Sequence, residues 1–584
     1  MYPAFDFKQG SIMMQLSADS VAGCIARVLK ARGVDRVFAL CGGHIMPIWM
    51  RLDAEGIRII DVRDERAAVH MAQAHAELTG QFGVALVTAG PGVTNAMTGI
   101  ANAHVSRAPV LVLSGVPPRP QENRGGLQDV DHTRLLSSIT RYARTVREPS
   151  LVLAELDEAI ARATGESSEP GPAYLDFPTD TLRAEIPKAL QLEEHIAPRP
   201  RALMLPDPAQ VTRAVDVLWS AKRVLVISGR GAKGAGAELV QLLDKLGAVY
   251  LDTGESRGLV PDHHPSVVAA MRGAVMSDAD VVLTVGRRLD FQLAFGSPAV
   301  FGDAKFVRIG DVPGELRDNR RGVVEIAASP IATLSAIVAA AGNRVSAVDR
   351  SWAEKLRSGH EERAAKLRKT MAASPEGSDG RLHPNKALSA IQDRLDDESI
   401  VINDGGDFLA FGRVGLSAPI MLDPGPFGCI GVGVPYGIAA SLAFPDKKVV
   451  VATGDGAFGF NAIEIDTAVR HKAPVVIVVA NNGAWQIEVH DQTVTHGKVV
   501  GTRLQFSDHA AMARAFGMHG ERVERPEDLA GALDRAFANR PALVDVVVTP
   551  EAISSDGKTG LAWVPDLQAL EAWDNAERKW RGHK

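Results

Sequence analysis

A chain of 584 residues is too long for one hydrophobic core, so several domains are expected. With 64 basic against 70 acidic residues, a net charge of −6 and 46% hydrophobic content, it has a soluble globular composition without the positive field that nucleic acid requires. Cys24, Cys41 and Cys429 lie far apart without metal-ligand spacing, so a reducing cytoplasm is expected; the N-terminal stretch is too polar to read as a signal peptide, and no apolar run of roughly 18 residues suggests a membrane span.

Met13 or Met14 reads as an alternative start, which makes residues 1–12 an extension. From about residue 17 helical and strand patterns alternate. Helical apolar spacing over Val21 to Ala31 stops at Gly33, and short buried strands follow at Val37–Leu40, Ile59–Val62, Val84–Thr88, Val110–Ser114 and Ala173–Phe177. Residues 186–208, with Pro187, Pro198, Pro200, Pro206 and Pro208, read as a linker. A second block has strands at Val224–Ser228, Val249–Asp252, Val281–Val285 and Phe306–Ile309, and ends near 342. The charged stretch 343–383 is expected to be a solvated helical connector. A third block carries strands at Ile400–Asn403, Val449–Thr453, Val475–Ala480 and Leu543–Val548, and a tail bears Trp563, Trp573 and Trp580. The expected fold is α/β, with three consecutive doubly wound parallel-sheet domains at 14–185, 205–342 and 384–550 and a tail at 551–584.

The most specific chemical signal lies in the third block. The strand Val449–Thr453 runs straight into Gly454-Asp455-Gly456, and the next strand ends in Asn481-Asn482. Two neighbouring strand ends then each offer a hard oxygen ligand, which suits Mg²⁺ sharing phosphate oxygens and water. The glycines let a diphosphate approach the backbone, at the carboxyl ends where open α/β sheets bind such ligands. A Gly-Asp-Gly alone is more often a tight strand–helix turn; the pair at this spacing is not.

With this constellation the sequence resembles the thiamine-diphosphate enzymes of the acetolactate synthase and 2-hydroxyacyl-CoA lyase group, over nearly the whole chain. The resemblance implies that Asp455, Asn482 and the carbonyl of Ala484 hold Mg²⁺ on the cofactor diphosphate. It places Gly405, Gly406, Asp407, Gly454, Gly456, Ala457, Phe458 and Trp485 around that cofactor. In the first block, Asp64-Glu65-Arg66 opening a helix with His70, then Thr88-Ala89-Gly90-Pro91-Gly92, then Ser114-Gly115, resemble the family's pyrimidine-binding domain. There Glu65 would bond the aminopyrimidine and promote the cofactor's ylid, a role suited to a carboxyl kept from water. A glutamate at a helix start also serves the helix dipole, and only the context selects the catalytic role. In Gly428-Cys429-Ile430-Gly431 the resemblance makes Ile430 the wedge under the bent cofactor and the Gly428 carbonyl an acceptor for its amino group. Ile430 alone reads equally as core. It also implies a homodimer or dimer of dimers, with active sites at the subunit interface.

Five weaker features bear on the reaction. Ser228-Gly229-Arg230-Gly231-Ala232-Lys233 and Gly286-Arg287-Arg288 follow strands of the central block and resemble the ADP- and CoA-holding segments of oxalyl-CoA decarboxylase and 2-hydroxyacyl-CoA lyase. Acetolactate synthases use this domain for FAD, and a vestigial nucleotide fold also fits. His44, after Cys41-Gly42-Gly43, stands where those synthases carry alanine and is expected at the substrate, although a hydrogen-bonded core histidine reads as well. Gln128 matches a family glutamine that reaches the substrate carbonyl. Glu488, six residues past Asn482, suits acid–base work or a solvated helix face. The tail from Ser554 to Trp580 reads as a lid over a large substrate or as a packed helix. These features favour a 2-hydroxyacyl-CoA lyase acting on an acyl-CoA. The alternatives are an FAD-bearing 2-keto-acid carboligase of the acetolactate synthase kind and a non-catalytic binding protein on this fold.

Overall fold

The computed structural model describes residues 17–166, 169–190, 193–199, 203–559 and 565–582. Trp563 and the alternative start at Met13 or Met14 lie outside them. The described chain divides into two compact units, with the boundary along the sequence near residue 200.

The first unit is built on one six-stranded parallel sheet. Its strands are β1 (Arg36–Ala39), β2 (Arg58–Asp61), β3 (Gly83–Val87), β4 (Val110–Val116), β5 (Tyr142–Thr145) and β6 (Ala173–Pro178), in the order β2-β1-β3-β4-β6-β5. β3 and most of β4 are buried runs rich in Val and Leu, the pattern of strands covered by helices on both faces. The helix Val21–Ala31 begins at Ser20, whose side chain accepts the Gly23 N–H, and turns Cys24, Ile25, Val28 and Leu29 into the core. The proline-rich linker is partly docked: Ile186 and Ile196 are buried in this core, because an apolar residue between prolines still gains by leaving water.

The second unit carries two parallel sheets. The central one has β7 (Val224–Ser228), β8 (Val249–Leu251), β9 (Val281–Val285), β10 (Lys305–Gly310) and β11 (Val324–Ala327), ordered β11-β10-β9-β7-β8. The other has β12 (Ile400–Asp404), β13 (Ile420–Leu422), β14 (Val449–Gly454), β15 (Val475–Asn481), β16 (His519–Val523) and β17 (Ala542–Val547), ordered β13-β12-β14-β15-β17-β16. Strand for strand this order repeats that of the first unit. The expected connector is a 23-residue helix, Arg350–Ala372, whose Leu356 and Met371 are buried; it is charged but not wholly solvated. Three doubly wound parallel-sheet α/β layers therefore follow one another along the chain, as the alternating pattern predicts. No described helix is long and apolar enough to cross a membrane.

In each sheet the chain turns one way after its first strand and the other way later. The gap lies between β1 and β3, between β7 and β9, and between β12 and β14. Ligands of open α/β sheets bind beyond the strand ends at such a switch point.

Candidate functional site

In the third sheet, the switch point is formed by the ends of β12 and β14. β12 ends in Asp404, β14 in Gly454, and the two strands pair in register to Asp404 opposite Thr453. Gly405 has φ of +105° and lies where a Cβ would be 3.5 Å from the Gly454 nitrogen. Asp455 starts the helix Asp455–Asn461 and is buried. Its Oδ2 accepts the Gly483 N–H at 3.0 Å, which ties the end of β14 to the segment after β15. Burial pushes the Asp455 carboxyl up to about 6, while backbone N–H groups of the two loops oppose the shift. A carboxylate this short of water gains most from a cation.

Asn482 is half-buried, with its Oδ1 accepting the Ala484 N–H at 3.1 Å. Gly483 between them has φ of +64°. The Trp485 ring lies against Gly456 so closely that a Cβ there would be 2.6 Å from it, and Phe460 meets the ring edge-on at 6.1 Å. Ala457 and Phe458 are buried beneath the helix start, and a pocket beside Asp455 is lined by Arg503, Ser507 and His509. The donors are hard oxygens, the turns are glycine, and basic groups stand alongside. Asp455, Asn482 and the Ala484 segment thus fit a magnesium–diphosphate unit.

Asp404, not singled out in the sequence, holds this half-site together. Its buried carboxylate accepts N–H groups from Gly405 at 2.7 Å, Gly431 at 3.0 Å and Gly433 at 2.8 Å. It thereby fastens the cradle to the Gly428–Gly431 segment. Ile430 is half-buried there, and Gly428 is exposed with φ of +66°. The Asn461 side chain donates to the Gly431 carbonyl at 2.6 Å. Burial, opposed by those N–H donors, pushes Asp404 up to about 6. The one available signal was an acid at a strand end before two glycines.

Asp407 bonds the tail, and Glu488 takes the solvated helix face, one of the two readings expected of it. Asp407 is buried and turned to the tail, where its Oδ1 accepts the Ser554 N–H at 3.3 Å; burial raises it. Gly406 is exposed, with Ile487 beside it. Glu488 is exposed in the first turn of the helix Gln486–His496.

The first unit builds its own cluster at the matching gap between β1 and β3. Glu65 begins the helix Glu65–Thr79 and is only 7% exposed. The Asn95 amide donates to its Oε2 at 3.1 Å, and a Cβ on Gly92 would lie 3.3 Å from its Oε1. Asp64 caps the helix by accepting the Arg66 N–H, leaving Glu65 free to turn inward. His44, in the turn Gly43–Ile45 after β1, is half-buried. Burial lowers its pKa and favours the neutral imidazole, opposed by the nearby Gln128 side chain. Gln128 has φ of +63° and abuts Gly90. One end of this sheet thus gathers Glu65, Gln128 and His44.

In the central sheet, Gly231 donates to the Gly286 carbonyl at 2.9 Å, joining the turns after β7 and β9. Arg230 and Lys233 are half-buried and Arg288 is exposed. Arg287 is committed to the protein: its guanidinium grips both Asp290 oxygens at 2.8 Å and Gln292 at 2.9 Å.

A cavity of about 570 Å³ runs from Gly405 and Gly428 to the end of β8 at Asp252 and Gly254. Arg257, Arg272 and Arg413 line it, although none was expected. Arg257 pairs with Asp252 and Arg413 with Asp423, whereas Arg272 donates to the Gln292 carbonyl at 2.7 Å. Burial and the nearby Arg287 bring Arg272 down to about 10. The tail closes one wall with Ser555, Asp556, Leu570 and Trp573. The helix Glu571–Trp580 is clipped to the central layer: Ser297 donates to Glu577, and Gln568 bonds Glu577 and the Ala294 carbonyl. The described part of the tail is therefore docked, and it lines a cavity.

Comparison with known proteins bears directly on these three layers. Residues 19–135 match the thiamine pyrophosphate enzyme N-terminal TPP binding domain, residues 211–337 its central domain and residues 414–546 its C-terminal TPP binding domain. A probable acetolactate synthase of Mycobacterium bovis is 36% identical over 545 residues, covering 90% of this chain and 95% of the relative. Human 2-hydroxyacyl-CoA lyase 2 is 32% identical over 571 residues, covering 90% and 89%. Mouse 2-hydroxyacyl-CoA lyase 1 is 29% identical over 566 residues, covering 92% and 95%.

Proposed function

The chain belongs to the thiamine pyrophosphate enzyme family and is a thiamine-diphosphate-dependent enzyme; from that premise we propose that it is a magnesium-dependent carbon–carbon lyase for 2-hydroxyacyl-CoA. The reaction would cleave a 2-hydroxyacyl-CoA to an aldehyde or ketone and formyl-CoA, or run in reverse as a condensation.

The observation that supports this substrate class most is the cavity. It begins at Gly405 and Gly428, beside the cradle, and ends among Arg257, Arg272 and Arg413, with tail residues along it. An acyl-CoA has the matching shape: a reactive acyl end, a narrow arm and a polyanionic nucleotide. Arginine forks suit its phosphates, and Arg230, Gly231, Lys233 and Arg288 stand at the central switch point for the rest.

When bound, thiamine diphosphate supplies the nucleophilic carbon and the electron sink. Asp455, Asn482 and the Ala484 carbonyl would hold the diphosphate end and its Mg²⁺. Glu65 moves a proton at the aminopyrimidine ring, shielded from water by its burial. The neutral His44 imidazole takes up or returns the substrate hydroxyl proton, and Gln128 orients the carbonyl. Glu488 is a second proton carrier, open to solvent. The proposed assembly is a homodimer or dimer of dimers in which Glu65 of one copy serves the cofactor held by Asp455 of another. Mixing inactive Glu65→Gln and Asp455→Ala proteins should restore partial turnover; no recovery would sink that assembly.

Incubation of the pure enzyme with 2-hydroxyisobutyryl-CoA, thiamine diphosphate and Mg²⁺ tests the reaction, with acetone and formyl-CoA as the expected products. Absence of both above a Glu65→Gln control removes the assignment. The greater identity to acetolactate synthase supports a second reading, an FAD-bearing 2-keto-acid carboligase. A yellow protein that consumes pyruvate would establish it.

A further inference from the structure

Behind the His44–Gln128 pair lies a buried relay that the proposed chemistry does not use. His132 is 1% exposed, and its Nε2 accepts the Gly90 N–H at 2.9 Å. An Nε2 that accepts must carry the lone pair, so the ring proton sits on Nδ1. Nδ1 lies 3.0 Å from Asp176 Oδ2, which also accepts the Tyr174 hydroxyl at 2.9 Å. Asp176 and Tyr174 are buried side by side on β6. An aspartate thus fixes the histidine tautomer, and the histidine fixes a backbone amide.

That amide belongs to a demanding position. Gly90 has φ of +61° and opens the helix Pro91–Val105, at the end of β3. A Cβ on it would lie 2.8 Å from the Gln128 Cβ, so the turn and Gln128 are in contact. Gln128 itself has φ of +63°, a conformation that a side chain bears only when its surroundings hold it. Gln128 also lies close enough to His44 to raise its basicity against the effect of burial. One continuous path of contacts therefore runs Asp176, His132, Gly90, Gln128, with His44 beside its end.

We propose that His132, oriented by Asp176 and Tyr174, is a positioning residue that sets the Gly90 turn and, through it, the stance of Gln128 and His44 toward substrate. The proposal rests on the reading that Gln128 and His44 face the substrate. It makes no use of the cofactor's own chemistry.

Two amide variants separate positioning from simple packing. In His132→Gln the carboxamide oxygen extends to about the place of Nε2 and can still accept from Gly90. In His132→Asn it ends near Nδ1 and leaves the Gly90 N–H unsatisfied. Hydrogen–deuterium exchange over residues 88–92 gives a readout independent of activity. Exchange there should quicken roughly tenfold or more in His132→Asn and stay near wild type in His132→Gln, as the loss of about one hydrogen bond predicts. KM for the carbonyl-bearing substrate should rise about tenfold in His132→Asn and recover in His132→Gln, with thiamine-diphosphate affinity unchanged in both. Asp176→Asn, which loosens the tautomer but keeps the imidazole, should show the same changes more weakly. It stands in if His132→Asn fails to fold.

Equal exchange in the Gln and Asn variants overturns the proposal, as does altered exchange with wild-type KM. If the wild-type enzyme turns over neither 2-hydroxyacyl-CoA nor pyruvate, the functional reading fails by itself, and the exchange pattern still decides whether His132 sets the turn.

Discussion

The carboxylate of Asp404 grips the backbone of Gly431, with both of its oxygens within 3.2 Å of that amide nitrogen. The two residues belong to different loops, one ending β12 and the other following the segment that bears Ile430. Their contact sets the spacing between the diphosphate cradle and the expected wedge.

Asp404→Asn should therefore cost more than its conservative appearance suggests. An amide presents N–H groups to backbone donors that need an acceptor, and a buried unsatisfied donor costs about 1–3 kcal/mol. A lower melting temperature for the metal-free protein, with thiamine-diphosphate affinity reduced about tenfold by calorimetry, is the expected outcome.

Asp455 and Asp404 give the protein a defined pH signature. Each is pushed up to about 6 from an ordinary 3.8, so the folded state binds protons more tightly than the unfolded chain. Their contribution to stability is complete below pH 3.8 and is lost as pH rises through about 6. Metal-free wild type should accordingly gain more in melting temperature between pH 7 and pH 5 than Asp455→Asn does. Because a proton and Mg²⁺ compete for Asp455, apparent Mg²⁺ affinity should fall about tenfold per pH unit below about 6. A pH-independent Mg²⁺ titration would remove Asp455 from the metal.

Glu65→Gln should leave the fold intact, since the amide oxygen can still accept from Asn95. Turnover should drop roughly 10²–10⁴-fold, the range for losing one positioned acid–base group. Steady-state kinetics beside an unchanged melting curve would check it.

Gly456→Ala places a methyl group 2.6 Å from the Trp485 ring. Overpacking of that kind costs about 1–3 kcal/mol, and cofactor affinity should fall with it. The double variant Gly456→Ala/Trp485→Ala should be less impaired in cofactor binding than the sum of the two single changes, a coupling that a double-mutant cycle measures directly.

Arg272→Gln tests the far end of the cavity. If a polyanionic substrate reaches it, KM for acyl-CoA should rise about tenfold or more, the loss of one charge-assisted contact of about 1.5–3 kcal/mol. Thiamine-diphosphate affinity should be untouched, and both constants come from one set of titrations.

The sequence announces much of this architecture through its strand ends. Gly454-Asp455-Gly456 and Asn481-Asn482 lie at the tips of β14 and β15, because uniformly apolar runs such as VVVATG and VVIVVAN leave only their ends free for polar work. Edge strands were less legible. β16 reads HGERV and β5 YART, both largely half-exposed, so neither carries an apolar run; β13 has three residues. Asp404 escaped for another reason: its partners Gly431 and Gly433 are distant in sequence, and no local spacing encodes that meeting. The cavity arginines are similarly dispersed at 257, 272 and 413. Arg287 shows the reverse ambiguity, since a motif that suits a nucleotide also suits an internal clamp on Asp290.

The clip formed by Gln568, Ser297 and Glu577 has a practical bearing on how the protein is handled. The carboxy-terminal helix leaves the third layer and fastens to the second, so the last residues of the chain act as a strap between parts encoded hundreds of codons apart. An expression clone trimmed before Glu577 would lose that clip and leave the wall carrying Leu570 and Trp573 without its fastening to the central layer.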